Sequence, residues 1–290
     1  MIINFGSINI DHVYRVERLP KPGETIAANG YEKHLGGKGI NQSVAIAKAG
    51  GTVRHIGAIG KDGSWATEQI NCFGVDTNEI AQLDCATGHA IILVDEGGEN
   101  QILIESGANA ELTEAQIGNA LNAGVGGKDW VLLQNETNLA GLIVEQAKSV
   151  GFNIAYAAAP FIAETTIALL PYIDLLAVNE GEAAALAQSM NVEIEEIPVP
   201  MLLITRGVKG SILRQADATM EQSAFDVKAI DTVGAGDTFL GSFLAKYSHG
   251  EDILRSLEYA AAASAIQVTK NGAATAIPDR NDVDAFLEQR

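Results

Sequence analysis

Cysteine is nearly absent: Cys72 and Cys85 are the two in 290 residues. Two cysteines build no disulfide framework, which excludes a small stapled scaffold and fits a reducing compartment. Basic side chains are also scarce, with 19 Lys and Arg against 37 Asp and Glu and a formal charge of −18. So acidic a chain repels nucleic-acid phosphates, and nucleic acid is not an expected partner. Any phosphate site must then be built locally, from backbone N–H groups and a few cations. No stretch approaches the roughly 20 apolar residues that a membrane span needs. Met1-Ile2-Ile3-Asn4-Phe5-Gly6 lacks the basic segment and the long apolar run of a signal peptide. The expectation is a soluble, cytoplasmic protein with no membrane partner. Lys38, Lys61 and Lys128 follow glycines but lack the hydroxyl residue of a P-loop, and no Gly-x-Gly-x-x-Gly occurs. The Cys and His positions show no zinc spacing.

Aromatics are sparse too, yet 47% of the residues are hydrophobic, enough for a large aliphatic core in a chain of this length. Short apolar runs bounded by glycine alternate with helical periods. Strands are expected at 1–5, 52–59, 130–134, 153–156, 174–178 and 202–205. Helices are expected at 40–49, 64–73, 113–123, 139–150, 180–190, 253–268 and 282–289. Such alternation implies a mostly parallel sheet covered on both faces. Residues 211–213 and 225–227 read as antiparallel additions. Two segments break the rhythm with β following β. One is 12–34, and the other is the hairpin of 90–94 and 101–104; they pair as one satellite sheet.

The stretch Asp231-Thr232-Val233-Gly234-Ala235-Gly236-Asp237-Thr238 reads as a turn feeding a helix that runs to Tyr247. A helix start carries unpaired N–H groups and about half a positive charge, and so binds anions. Asp237 sits within it, where a carboxylate would repel phosphate. It is either a first-turn cap or a base that takes a proton from an attacking hydroxyl while the N–H groups hold phosphoryl charge. Asn9 and Asp11, two apart at a strand end, point the same way. They suit either hydrogen bonding to ligand hydroxyls or a simple Asx-turn. Gly36-Gly37-Lys38-Gly39-Ile40-Asn41 is a glycine-rich helix start with a cation and an amide close by. Glu182, in Asn179-Glu180-Gly181-Glu182, either complements a helix dipole or orients water on Mg²⁺. Thr205-Arg206-Gly207-Val208-Lys209-Gly210 is a strand followed by a turn that lets a nucleotide approach the backbone.

With these motifs in order, the chain resembles the ribokinase-like carbohydrate kinase family along nearly its full length. The carrying stretches also include Gly6-Ser7-Ile8-Asn9-Ile10-Asp11, Pro22-Gly23-Glu24-Thr25 and Ser106-Gly107-Ala108-Asn109-Ala110. The resemblance implies a three-layer α/β/α sandwich with a small β-sheet lid. Residues 1–11, 35–87 and 108–290 would form the core, and 12–34 and 88–107 the lid, through which two copies would pair as a homodimer. It implies transfer of the ATP γ-phosphoryl group to a sugar hydroxyl, ribose first, with another pentose, a ketohexose or a nucleoside as alternatives. A non-catalytic sugar or nucleotide sensor on the same fold is the reading from another class. By position Asp237 matches the base, and Gly234, Ala235 and Gly236 the anion hole. Asn9, Asp11, Gly37, Lys38, Asn41 and Glu136 match sugar contacts. Asn179, Thr205, Gly207, Gly210 and Gly236 fall on nucleotide contacts, and Glu182 on the residue organising Mg²⁺. A monovalent-cation loop, usually for K⁺, would use Asp231 and the Val233 carbonyl with Gln267, Lys270, Gly272 and Ala276. Two departures stand out. Ala157-Ala158-Ala159-Pro160 replaces a polar stretch, and Ala276 stands where a hydroxyl residue is common.

Overall fold

The apolar run at the N-terminus forms an interior strand of the main sheet. In this computed structural model, which describes residues 1–124 and 126–290, it is strand β1, Ile2–Phe5, buried throughout. The strands that follow are β2 Asn9–Arg15, β3 Gly30–Gly36, β4 Val53–Gly60, β5 Ile80–Leu83, β6 Gly88–Val94 and β7 Asn100–Glu105. The second half adds β8 Trp130–Gln134, β9 Asn153–Ala157, β10 Leu175–Asn179, β11 Met201–Thr205, β12 Ser211–Gln215 and β13 Ala218–Gln222. The helices are α1 Lys38–Lys48, α2 Ser64–Cys72, α3 Glu114–Asn122, α4 Ala140–Ser149 and α5 Ala163–Leu169. They continue with α6 Glu180–Met190, α7 Ala235–Ser248, α8 Ile253–Gln267 and α9 Arg280–Glu288.

The main sheet has the order β13-β12-β11-β10-β9-β8-β1-β4-β5. All pairings from β11 to β5 are parallel, and β12 and β13 join antiparallel at one edge. Two apolar clusters flank it. One gathers Ile40, Phe243 and Leu257 from α1, α7 and α8, and the other gathers Ile117, Ile143 and Leu186 from α3, α4 and α6. A sheet with a helical layer on each face is the three-layer sandwich the alternating pattern implies.

A second, four-stranded sheet has the order β3-β2-β6-β7. It is the satellite sheet expected from the two β-following-β segments, with β2 beginning at Asn9. Asn9 and Asp11 therefore open the lid sheet and are not the tail of β1. Both still face one side, opposite Gly36 and His34 of β3.

Two other expectations are corrected. The antiparallel addition lies at 218–222, not 225–227: Phe225 stacks edge-on against Phe286 of α9 at 5.2 Å, which draws its apolar segment to a helix and leaves the polar stretch before it to pair with β12. The short strand β5 and the short helix α5 are additional to the elements read from the sequence.

Helices α1 and α7 cross at Gly241, where a Cβ would meet the Ala45 Cβ and the Gln42 carbonyl oxygen at 2.6 Å. This close approach brings the first turn of α1 against the first turn of α7, which sets up the site.

Candidate active site

Helix α7 begins at Gly234, whose φ of 75° is left-handed and suits a residue without a Cβ. No side chain caps it. The Ala235 N–H turns back to the Thr232 carbonyl at 3.2 Å, so Ala235 offers no free donor. Among the described residues, the N–H groups of Gly236 and Asp237 have no partner, and a Cβ on Gly236 would meet open space. Of the expected anion hole of Gly234, Ala235 and Gly236, Ala235 spends its N–H on the turn itself, while Gly236 keeps an open N–H and Asp237 adds another.

Asp237 is gripped by two neutral amides from α1. Asn41 Nδ2 donates to one carboxylate oxygen at 3.1 Å, and Gln42 Nε2 to the other at 2.8 Å. Burial pushes its carboxyl up to about 6, opposed first by Lys38 and then by the two amides, while Glu136 pushes it further up. The Asn41 Oδ1 atom is buried without a partner, an acceptor left for a ligand hydroxyl.

The orientation of Gln42 is fixed by a buried polar chain that begins at a backbone carbonyl. The Gly6 oxygen can only accept, so His55 presents Nε2–H to it at 3.1 Å. His55 Nδ1 then accepts from Ser43 Oγ at 2.9 Å, and burial holds the ring neutral with its pKa lowered to about 4. Ser43 in turn accepts from Asn4 Nδ2 at 2.8 Å. Gln134 Nε2 donates both to Asn4 Oδ1 at 3.0 Å and to Gln42 Oε1 at 2.7 Å. Gln42 is left with only its N–H groups for Asp237. Asn4, Gln42, Ser43, His55 and Gln134 are all at most 1% exposed. Sequence reading missed this chain, although Gln42 stands beside Asn41 in the glycine-rich motif.

A second acidic group lies alongside. Burial pushes Asp11 up to about 6, with Glu136 adding to the rise and His34 and Lys38 opposing it. Glu136 accepts from the Lys38 backbone N–H at 2.9 Å and from Ser7 Oγ. Asn9 Oδ1 accepts from Asn109 Nδ2 at 2.7 Å, and Asn109 also holds the Ile8 backbone, a role its motif gave no sign of. Gly37 packs over the Ser7–Asn9 backbone at the start of α1. Asp11, Glu136, Lys38, Asn41 and Asp237 are thus one electrostatic neighbourhood.

On the other side of Asp237 a cavity opens, lined by Lys38, Gln42, Asn179, Glu182, Thr205 and the Gly234–Asp237 turn. Ala157 and Ala159 also line it, so the run that replaces a polar stretch brings no polar side chain there. Asn179 and Glu182 close a capping box on α6, with Asn179 N–H on Glu182 Oε2 at 2.8 Å and Glu182 N–H on Asn179 Oδ1 at 2.9 Å. The other Glu182 oxygen has no partner among the described residues. Gly207, at φ 57°, has open space around it in a single turn after β11 but does not line the cavity. Gly210 does not line the cavity either. A Cβ on Gly210 would lie 2.0 Å from the Gln222 carbonyl oxygen, so its need is for close packing against β13.

Residues 1–280 match the sequence pattern of the pfkB family carbohydrate kinases. The chain belongs to that family. As a pfkB kinase it is a phosphotransferase, moving phosphoryl from ATP to a sugar or nucleoside hydroxyl. It is 36% identical over 300 residues to the ribokinase of Haemophilus influenzae, covering 98% of this chain and 97% of that one. It is similar in structure to the Thermotoga maritima ribokinase, with a TM-score of 0.87, 33% identity and 99% of both chains covered. The Arabidopsis thaliana ribokinase complexed with ribose and ATP superposes with a TM-score of 0.87 at 29% identity, over 99% of this chain and 98% of that one. No helix among the described residues of the kinase is long and apolar enough to cross a membrane.

Proposed function

We propose that the kinase phosphorylates ribose on its primary hydroxyl, giving ribose 5-phosphate and ADP. The observation that carries this reading is Asp237, a carboxylate held by two amides between unpaired helix-start N–H groups and a second polar cluster of Asp11, Asn41 and Glu136. Sugar hydroxyls bind in that cluster, on Asn9, Asp11, Asn41 Oδ1, Glu136 and the Gly37–Lys38 backbone. The nucleotide lies in the cavity on the other side, against Asn179 and Thr205. Asp237 accepts the proton of the attacking hydroxyl as its oxygen bonds to the γ-phosphorus and the bond to the leaving ADP oxygen breaks. Gly236 and Asp237 N–H groups, with Lys38, stabilise the phosphoryl oxygens in transit.

The free oxygen of Glu182, at the cavity wall, fits a Mg²⁺ ion held through water. When bound, that ion neutralises charge between the phosphates. The lid sheet excludes competing water on closure, and its outer strand β7 exposes Ile102, Leu103 and Ile104, which supports pairing with a second copy. Exposed, unpaired Cys72 and Cys85 support a reducing, cytoplasmic setting.

The test is a panel of ribose, deoxyribose, other pentoses, ketohexoses and nucleosides with ATP and Mg²⁺, following ADP and the phosphorylated carbon by ³¹P NMR. The expected result is the highest kcat/KM with ribose and product at the primary carbon. Preference for a nucleoside or ketohexose would overturn the sugar assignment. Thermal stabilisation by sugar without ADP formation would favour a sensor.

A further inference from the structure

The segment that leads into α7 is closed from beneath by one side chain, Gln267, the last residue of α8. It is fully buried, and its Nε2 donates to the Val233 carbonyl at 2.6 Å. The same nitrogen lies 3.5 Å from where a Cβ on Gly234 would sit, directly under the turn whose N–H groups face the cavity. Val233 is the carbonyl that the family resemblance would give to a monovalent cation, and Asp231 and the Gln267 carbonyl of that set also accept bonds. Asp231 accepts the Val233 N–H on one oxygen at 3.0 Å and the Gly272 N–H on the other at 2.9 Å. The Gln267 carbonyl accepts the Lys270 N–H at 2.9 Å. Ala276 has no hydroxyl to add.

An amide N–H aimed at a carbonyl presents partial positive charge where a cation would need bare oxygen. With that N–H in place the Val233 carbonyl is closed to a monovalent ion. We propose that the Gln267 amide does the work of that ion: it holds the Val233 carbonyl, and through it the Gly234 turn, so phosphoryl transfer proceeds without K⁺. Gln267 is a positioning residue, acting on Gly236 and Asp237 through the backbone. Its own Oε1 is buried without a partner. Rotating the amide to use that oxygen would set two acceptors 2.6 Å apart at Val233, an arrangement only a cation between them would hold. The cation-bound alternative is therefore a distinct state with its own signature.

The effect on turnover rests on the kinase reading above; the structural part does not. The full chain is melted in KCl, RbCl, NaCl and N-methyl-D-glucamine chloride at matched ionic strength, since an ion that binds the folded state raises its melting temperature. The expected result is no cation-specific shift, no anomalous Rb⁺ peak between Asp231 and Val233 in crystals, and ribose phosphorylation within about twofold in all four salts. A rise in melting temperature with K⁺ or Rb⁺, a Rb⁺ peak there, or a tenfold or greater activation by K⁺ would overturn it.

Gln267→Ala frees the Val233 carbonyl. In the K⁺-free salt it is expected to lose about tenfold in kcat with the sugar KM unchanged, and to recover part of that loss in K⁺. Gln267→Met keeps the volume without the donor and is expected to lose kcat likewise, which covers failure of the alanine variant to fold. Full activity of the methionine variant would sink the proposal. If no acceptor is phosphorylated under any condition, the kinase reading fails, while the melting and Rb⁺ results still decide the role of Gln267.

Discussion

Helices α6 and α7 both start at the cavity wall, yet they finish their first turns in opposite ways. At α6 the chain satisfies itself: Asn179 and Glu182 exchange side-chain and backbone bonds in a closed capping box. At α7 a left-handed glycine takes the cap position with no side-chain oxygen behind it, and the Gly236 and Asp237 donors stay open. At α6 the cap is complete in itself and spends one Glu182 oxygen, leaving the other to the cavity. At α7 the cap is left out beside a carboxylate held by two buried amides. Unspent donors next to a positioned base mark where a ligand completes the structure.

Substitutions can break or sharpen that contrast, and the largest effect falls on α7. Asp237→Asn is expected to keep the fold and sugar binding but to lower kcat by ~10²–10⁴, the usual cost of a missing general base; single-turnover kinetics beside calorimetric sugar titration separates the two. Next comes Gly236→Val, whose side chain would fill the open space over the donors. Displacement of the phosphoryl group by about 1 Å is expected to cost about 10²-fold in kcat, with little change in urea midpoint. Gln42→Leu comes third. It removes one donor from the Asp237 carboxylate and strands one of the two Gln134 Nε2 hydrogens. A hydrogen bond to the ionised form holds a carboxyl's pKa down, so its loss raises that of Asp237 and moves the acid limb of the rate profile to higher pH, with about tenfold lower kcat at neutral pH. The smallest effect belongs to α6. Asn179→Ala opens its capping box and is expected to cost about 1 kcal/mol in urea unfolding and to raise the KM for ATP with kcat little changed.

The contrast was half legible in the sequence. Glycines at 234 and 236 with an acid after them, and Asn179 three residues before Glu182, mark both helix starts by residue type alone. The βα alternation carried the sandwich in the same way, because apolar runs between glycines are local signals. What eluded the sequence was held by packing over long separations. Gln134 and Asn4 sit on central strands and read there as ordinary strand residues. Only the pairing of β1 with β8, and the crossing of α1 over α7 at Gly241, turns them into supports for Asp237. Phe225 likewise reads as strand until Phe286 arrives from the last helix. Gln267 looks like one more polar residue at a helix end, and its bond to Val233 spans 34 positions.

The pH dependence of kcat/KM for sugar phosphorylation, measured on the wild type and on Asp237→Asn, tests the central claim most directly, since it reports the ionisation of the free enzyme's base. With Asp237 raised to about 6 and active when ionised, the wild-type value is predicted to be level above neutral pH and to fall on the acid side with a midpoint near 6. In the variant most of the rate should vanish and the limb should become shallower, keeping only the contribution of Asp11. A variant that keeps near-normal turnover, or the same acid limb, would contradict the assignment of Asp237 as the base.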